Sequence, residues 1–145
     1  MKKTVEDKLA ESSRVIAATA AQSETVSRMA EALVLAFQRG HKLLAFGNGG
    51  SACDATNFAD ELTGRYERNR PGLPALSLNT NTSDLTSIAN DFGYEFVFSR
   101  QLEAHARPGD IAVAISTSGN SPNVLRALEA ARKLGLETIG LTGAD

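Results

Sequence analysis

Residues 45–62, AFGNGGSACDATNFADEL, join a glycine-rich turn to a segment that carries carboxylates. The glycines of GNGGS let a ligand approach the backbone closely. Asp54, Asn57 and Glu61 follow at intervals of three and four residues, which places them on one face of a helix. A carboxylate there could transfer a proton or bind a metal. The segment therefore predicts a ligand-binding turn beside an acid–base or metal-binding group.

A second polar cluster, ISTSGNSPNV at 115–124, is rich in hydroxyl groups. Its four hydroxyl side chains are Ser116, Thr117, Ser118 and Ser121. Pro122 suits the first position of a helix, and Ser121 suits the N-cap before it. Hydroxyls and free amides at a helix start form an anion site, and without a G-x-x-x-x-G-K-[ST] motif a small monophosphate fits best. The alternative is a Ser/Thr-rich turn that only caps a helix.

The first turn also matches a relaxed dinucleotide fingerprint, since Gly47, Gly49 and Ala52 satisfy G-x-G-x-x-G/A. That fingerprint expects an acidic residue at the end of the second strand, where it binds a ribose. The corresponding segment, SLNTNT, has no acid before Asp84. Dinucleotide binding is therefore disfavoured.

The elements that position these turns alternate along the chain. Four short apolar runs predict strands at 42–47, 73–78, 110–117 and 137–143. Helical stretches are predicted between them, at about 52–64, 82–106 and 121–134. Strict alternation with right-handed crossovers indicates a doubly wound α/β fold with a parallel sheet. Ligands bind such sheets beyond the carboxyl ends of the strands, where both polar turns fall.

Residues 1–40 predict a pair of N-terminal helices that ends at Gly40, ahead of an α/β core at 41–145, with 1–145 as a single domain. Their apolar residues at helical spacing are Val5, Leu9 and Ile16, then Val26, Met29, Leu33 and Phe37. A net charge of −2 without charge blocks argues against nucleic acid, and no apolar run reaches membrane-spanning length. The N-terminus lacks a secretory apolar core, and the single cysteine excludes an internal disulfide. These features predict a cytoplasmic protein.

Three segments in order, GNGGSACDATNFADELTGRY, NDFGYEFVFSRQLEA and ISTSGNSPNVLRAL, resemble the sugar isomerase (SIS) family and, within it, the phosphoheptose isomerases. The resemblance runs over essentially the whole chain. It implies a flavodoxin-like doubly wound fold with an N-terminal helix pair. It also implies an aldose–ketose isomerase that converts sedoheptulose 7-phosphate to D-glycero-D-manno-heptose 7-phosphate by proton transfer through an enediol.

The resemblance further implies roles for individual residues. Glu61 would be the acid–base carboxylate and, in zinc-containing members, a metal ligand. Sugar and phosphate contacts would come from Asn48, Gly49, Gly50, Ser51, Asn90, Asp91, Ser116, Thr117, Ser118 and Ser121. Family members are homotetramers with sites between subunits, which gives the N-terminal helices a role in assembly.

Two departures from the family pattern bear on the metal. Asn57 stands where the family usually has histidine, four residues before Glu61, and asparagine is a poor zinc ligand. The family's fifth strand and C-terminal helix, with an active-site Gln and His, would follow LTGAD and are absent from these 145 residues. We therefore expect no tightly bound zinc and slow turnover by this chain. His41 and His105 are interpreted as structural or surface residues.

Two alternatives to an enzyme stay open. The chain could be a non-enzymatic SIS protein that binds the bacterial replication initiator, or a module that senses sugar phosphates. Asn57 favours the first of these alternatives, whereas Glu61 and the ISTSGNSPN turn oppose it.

Overall fold

The computed structural model describes residues 1–143 and contains a parallel sheet of four strands with the order β2-β1-β3-β4. The strands are β1 (Leu43–Gly47), β2 (Ala75–Ser77), β3 (Ile111–Ser116) and β4 (Glu137–Thr142). Leu43 of β1 is in register with Ala75 of β2 and with Ile111 of β3. The predicted α/β fold with a parallel sheet is confirmed.

The helices that connect the strands are α3 (Gly50–Thr63), α4 (Thr82–Phe92), α5 (Ser99–His105) and α6 (Pro122–Lys133). The prediction of a single helical stretch at 82–106 is wrong, because α4 ends at Phe92 and the next residue, Gly93, has a φ of +100°, which is not helical. A short 3-10 turn at Tyr94–Phe96 then redirects the chain into α5. Glycine adopts positive φ readily, so this break has a local cause.

The core lies on both faces of the central strands. Residues 43–46 of β1 are fully buried, as expected for a strand covered on both sides. Phe46 packs against Phe98, with ring centroids 5.2 Å apart. The rest of the largest core cluster comes mainly from β3, α5 and α6. This packing fixes the two central strands, whose carboxyl ends carry the polar turns.

The chain divides into two compact units, Met1–Val34 and Leu35 onward. The first contains α1 (Lys2–Ala18), a 3-10 turn at Thr19–Gln22 and most of α2 (Ser23–Gln38). Leu9 and Ile16 of α1 are 67% and 72% exposed. Residues 144 and 145, which close the predicted domain, lie outside the described residues. None of the helices in residues 1–143 combines the length and hydrophobicity needed to cross a membrane.

Candidate functional site

The topology creates a crevice between the carboxyl ends of β1 and β3. β2 lies on one side of β1 and β3 on the other, so the chain reverses its direction of strand addition between these two strands. Ligands of open α/β sheets bind at such a switch point. A small cavity of about 180 Å³ opens there, and we name it the serine cavity; it is lined by Asn48, Ser51, Ser116, Thr117, Ser118 and Ser121. Its volume is below the roughly 300–1,000 Å³ typical of sites for whole organic ligands, which suits one polar group of a ligand.

The β1–α3 turn depends on glycine at two positions. A Cβ on Gly47 would lie 2.7 Å from the carbonyl oxygen of Ile115 and 2.8 Å from that of Ser51. Gly49 precedes α3 with φ of +56°, a conformation that other residues rarely adopt. The glycine-rich sequence therefore allows β1, β3 and the start of α3 to approach closely.

A hydrogen-bond network fixes the Asn48 side chain at the rim of the serine cavity. Asn48 Nδ2 donates to Asn123 Oδ1 at 2.8 Å, and Asn123 Nδ2 donates back to Asn48 Oδ1 at 2.9 Å. The Tyr94 hydroxyl donates to the same Asn48 oxygen at 3.2 Å. The backbone N–H of Val124 donates to Asn123 Oδ1 at 3.0 Å. Because Asn48 Nδ2 carries two hydrogens, one remains for a ligand.

Asn123 and Tyr94 are the partners that sequence reasoning missed. Asn123 is 3% exposed and lies in the first turn of α6, whereas Tyr94 belongs to the short turn after α4. Their contacts with Asn48 span 75 and 46 residues of sequence. The only sequence signals were an asparagine directly after Pro122 and a tyrosine directly after Gly93.

The β3–α6 turn supplies the hydroxyls of the serine cavity. Ser121 occupies the N-cap position of α6, as predicted, but its side chain makes no capping hydrogen bond. Its hydroxyl lies 3.3 Å from that of Ser116 instead. Thr117 and Ser118 are exposed at the rim. Since Ser121 does not cap the helix through its side chain, the alternative of a purely capping turn is not supported.

Electrostatics favour an anion in the serine cavity. Among residues 1–143, none of those that line this cavity is acidic, and α3 and α6 both begin at its edge. Helix N-termini carry partial positive charge and free N–H groups, which stabilise bound phosphate or sulfate. The predicted substrate contacts Asn48, Ser51 and the four hydroxyl residues of the β3–α6 turn are thus brought together here.

Glu61 lies in a different cavity, of about 430 Å³, which we name the Glu61 cavity; its lining residues are Asp54, Asn57, Phe58, Glu61, Leu62, Tyr66 and Arg70. Asp54, Asn57 and Glu61 therefore share one face of α3, as predicted. The Arg70 guanidinium donates to the backbone carbonyls of Glu61 and Leu62, at 2.9 and 2.8 Å. Sequence reasoning missed Arg70, which lies nine residues beyond Glu61. The Glu61 cavity shares no lining residue with the serine cavity.

Asn90 and Asp91 are near the end of α4 and line neither cavity. Both are exposed, and Asn90 Nδ2 donates to Asp91 Oδ1 at 2.8 Å. Within one chain, the structure does not bring this predicted pair to the other predicted substrate contacts.

The residues around Glu61 do not match a zinc site. Zinc in proteins takes tetrahedral sets of cysteine, histidine and carboxylate ligands. The Glu61 cavity offers two carboxylates, Asp54 and Glu61, and the amide of Asn57. Over residues 1–143, no group of three or more His, Cys, Asp or Glu side chains is arranged to hold a metal. His41 lies at the amino ends of the strands, beside Lys42, Pro74 and Asp110, whereas α3 begins after the carboxyl end of β1.

Comparisons of both the sequence and the fold with known proteins identify the family of this chain. A family model described as SIS domain matches residues 8–143. The chain belongs to the SIS domain family. A solved phosphoheptose isomerase from Neisseria gonorrhoeae has a TM-score of 0.91 and 42% identity, covering 97% of this chain and 74% of its own. One from Francisella tularensis has a TM-score of 0.86 and 30% identity, covering 97% and 78%.

The curated relatives that match this chain in sequence are also named phosphoheptose isomerase. A phosphoheptose isomerase from Trichlorobacter lovleyi is 58% identical over 120 residues, which are 83% of this chain and 61% of the relative. One from Aliarcobacter butzleri is 55% identical over 122 residues, 84% and 65% of the two chains. The present chain thus spans less than two thirds of the length of these relatives.

Proposed function

We propose that the chain functions as a phosphoheptose isomerase, an aldose–ketose isomerase that acts on sedoheptulose 7-phosphate. The observation that carries this proposal is the serine cavity at the switch point, where hydroxyls, an oriented Asn48 amide and two helix N-termini surround a small space. No acidic residue of the described part of the chain lines it. The names of the relatives support the heptose phosphate as the substrate.

The reaction needs one group to bind phosphate and another to move a proton. In the proposed mechanism, the hydroxyls of the serine cavity and the remaining Asn48 N–H bind the phosphate group. The Glu61 carboxylate removes a proton from C1 of the ketose, beside the C2 carbonyl, which gives an enediolate. The hydroxyl proton passes from the C1 oxygen to the C2 oxygen, and the protonated Glu61 returns its proton to C2, which leaves the aldehyde at C1. Hydrogen-bond donors stabilise the charge that develops on the oxygen. No step depends on a metal, because the Glu61 cavity lacks a zinc-like donor set.

The separation of the two cavities favours a site shared between subunits. Ser51 and Glu61 are ten residues apart on α3, which corresponds to about 15 Å along the helix axis. We propose that the Glu61 carboxylate of one subunit serves the serine cavity of a neighbour, in the homotetramer that the family resemblance implies. The exposed apolar residues of α1, including Leu9 and Ile16, are suited to that assembly. The predicted cytoplasmic location is part of the same proposal.

The test is to incubate the purified chain with sedoheptulose 7-phosphate and to follow formation of the aldose. Glu61→Gln should lower the rate by about 10²–10⁴-fold, the usual contribution of a general base. Asp60→Asn is the matched control, since Asp60 is the adjacent exposed carboxylate outside the Glu61 cavity. Equal rates for Glu61→Gln and the unmodified chain would contradict the assigned base.

Phosphate binding is tested separately by calorimetry. Replacing Ser118 and Ser121 together by alanine should weaken sugar-phosphate binding by about 1–3 kcal/mol, the scale of lost hydrogen bonds to a charged group. Unchanged affinity would rule out the serine cavity as the phosphate site.

A second candidate function is a SIS protein that binds sugar phosphate without converting it. Asn57 in place of the usual histidine, together with the distance of Glu61 from the serine cavity, favours this candidate. Calorimetric binding of sedoheptulose 7-phosphate with no aldose formed would support it over the isomerase.

A further inference from the structure

A third cavity, of about 610 Å³, lies at the amino ends of the strands, opposite the ends that carry the serine cavity, and we name it the amino-edge cavity. Lys42, Pro74 and Asp110, which line it, directly precede β1, β2 and β3. Because the central strands have five or six residues at about 3.3 Å each, this cavity is about 15 Å or more from the serine cavity. The proposed isomerase chemistry makes no use of it. Its volume is in the range of sites for small organic ligands.

Basic side chains dominate the lining of the amino-edge cavity: Arg39, His41, Lys42, His105 and Arg107. Of the residues that the structure describes, Asp110 is the one acidic residue in this lining, and it is 2% exposed. Asp110 accepts hydrogen bonds from the backbone N–H groups of Lys42 and Arg107, at 3.0 and 2.7 Å, and it forms a salt bridge with the Lys42 ammonium group. The carboxylate is therefore already engaged by Lys42, and its Oδ1 also lies 3.9 Å from His41 Nδ1.

The two arginines are different. Arg39 and Arg107 are exposed, and within residues 1–143 neither guanidinium makes a salt bridge or a side-chain hydrogen bond. The whole chain has a net charge of −2, so this edge has the opposite sign to the molecule. A basic concavity of this kind concentrates anions. Guanidinium groups bind phosphate in a bidentate manner, which makes a phosphorylated ligand the best chemical match.

The rest of the lining is apolar. Pro74, Leu76 and Pro108 contribute to the cavity surface, and Leu76 is 41% exposed. A ligand that satisfied two separate guanidinium groups and also covered this surface would need two phosphoryl groups and an apolar or planar body. We propose that the amino-edge cavity binds a small organic diphosphate, with its phosphoryl groups on Arg39 and Arg107 and its body against Leu76 and the flanking prolines.

A purely structural role for the same cations predicts a different result. Arg39 directly follows α2, and Arg107 lies two residues beyond the end of α5. Positive charge near the C-terminus of a helix stabilises the helix without any ligand. The experiment must therefore separate ligand affinity from folding stability.

The test is calorimetric titration of the full chain with ADP in the presence of EDTA, and with pyrophosphate for comparison. ADP should bind, and more tightly than pyrophosphate, because only ADP covers Leu76. Arg39→Gln with Arg107→Gln should weaken ADP binding about tenfold or more, since hydrogen bonds to charged groups are lost. Arg68→Gln with Arg132→Gln removes the same charge outside the cavity and should leave ADP binding unchanged. Ser118→Ala with Ser121→Ala should also leave it unchanged, which separates this site from the serine cavity.

Leu76→Glu provides a second variant should the double arginine variant fail to fold. It places a carboxylate on an exposed edge of the cavity and should weaken ADP binding while both arginines remain. The proposal is overturned if ADP does not bind at millimolar concentration, if pyrophosphate binds as tightly as ADP, or if the folded arginine variant binds ADP as the unmodified chain does. Loss of ADP binding in the serine variant would also overturn it. None of these results depends on isomerase activity.

Discussion

Replacing Asn123 by alanine removes the residue that holds Asn48 in place, and its cost can be estimated from the contacts. The side chain of Asn123 is 3% exposed and takes part in three hydrogen bonds, two with the Asn48 amide and one with the Val124 N–H. A typical hydrogen bond contributes about 0.5–1.5 kcal/mol. Val124 N–H retains the carbonyl of Ser121 as an acceptor at 3.0 Å. Because the two bonds with Asn48 are the ones lost, we expect Asn123→Ala to lower the free energy of unfolding by about 1–3 kcal/mol.

Tyr94→Phe is the matched comparison within the same network. It removes one hydrogen bond of 3.2 Å from a side chain that is 58% exposed, so the expected loss is about 0.5 kcal/mol. The assay is urea denaturation followed by circular dichroism, at one fixed protein concentration, because assembly makes apparent stability depend on concentration. Phosphate affinity, measured by calorimetry on the same samples, should fall in Asn123→Ala because Asn48 loses its orientation.

A cost of less than about 0.5 kcal/mol for Asn123→Ala, below the value of a single hydrogen bond, would refute the role assigned to Asn123. Equal costs for Asn123→Ala and Tyr94→Phe would also refute it, since the reciprocal amide pair would then contribute nothing beyond the exposed hydroxyl contact.

Further predictions concern packing, charge, metal and assembly. Gly47→Ala should lower the thermal unfolding temperature, because its Cβ would lie 2.7 and 2.8 Å from two backbone carbonyl oxygens; Gly50→Ala, whose Cβ meets nothing within 4 Å, should be near neutral. Burial raises the pKa of Asp110. Hydrogen bonds from Lys42 and Arg107 and the positive charge of Lys42 lower that pKa by more in total, so it is below the usual value. The stabilisation by the Asp110 carboxylate should be complete above about pH 4 and should disappear as the pH falls through the lowered pKa. Below pH 4, the urea concentration at the unfolding midpoint should therefore decrease less with falling pH in Asp110→Asn than in the unmodified chain. Elemental analysis should find no stoichiometric zinc in the chain, because the groups around Glu61 do not form a zinc donor set. Light scattering should give the mass of a tetramer, and a stable monomer at micromolar concentration would contradict the proposed assembly.

Local sequence patterns predicted the sheet and the serine cavity well. The apolar run that ends at Gly47 and the hydroxyl cluster that begins at Ser116 each identified both a strand and the turn after it, because a buried parallel strand and a polar strand end have distinct compositions. The parallel alternation then placed both turns at one edge. The helix break at Gly93, within the stretch predicted as helical at 82–106, does not follow from the sequence, since the presence of a single glycine does not determine its φ angle.

Local sequence patterns do not predict contacts between residues that are far apart in the sequence. Asn48 and Asn123 are 75 residues apart, and their pairing follows from the strand order, which periodicity does not encode. The separation of Glu61 from the serine cavity was missed for a related reason. Spacing on a helix shows which residues share a face, but it does not show which cavity that face meets.

The N-terminus of α6 has no side-chain cap, so binding of an anion in the serine cavity would raise the stability of the folded chain. Because Ser121 leaves its capping position without a side-chain hydrogen bond, an anion in the serine cavity would take the place of that cap. Any ligand that binds only the folded chain stabilises it, by about 2.7 kcal/mol at one hundred times the dissociation constant. For a domain of this size, that corresponds to a rise of roughly 5–10 °C in the unfolding temperature. The empty protein would therefore be the less durable form, and its lifetime in a cell would depend on the supply of its own ligand.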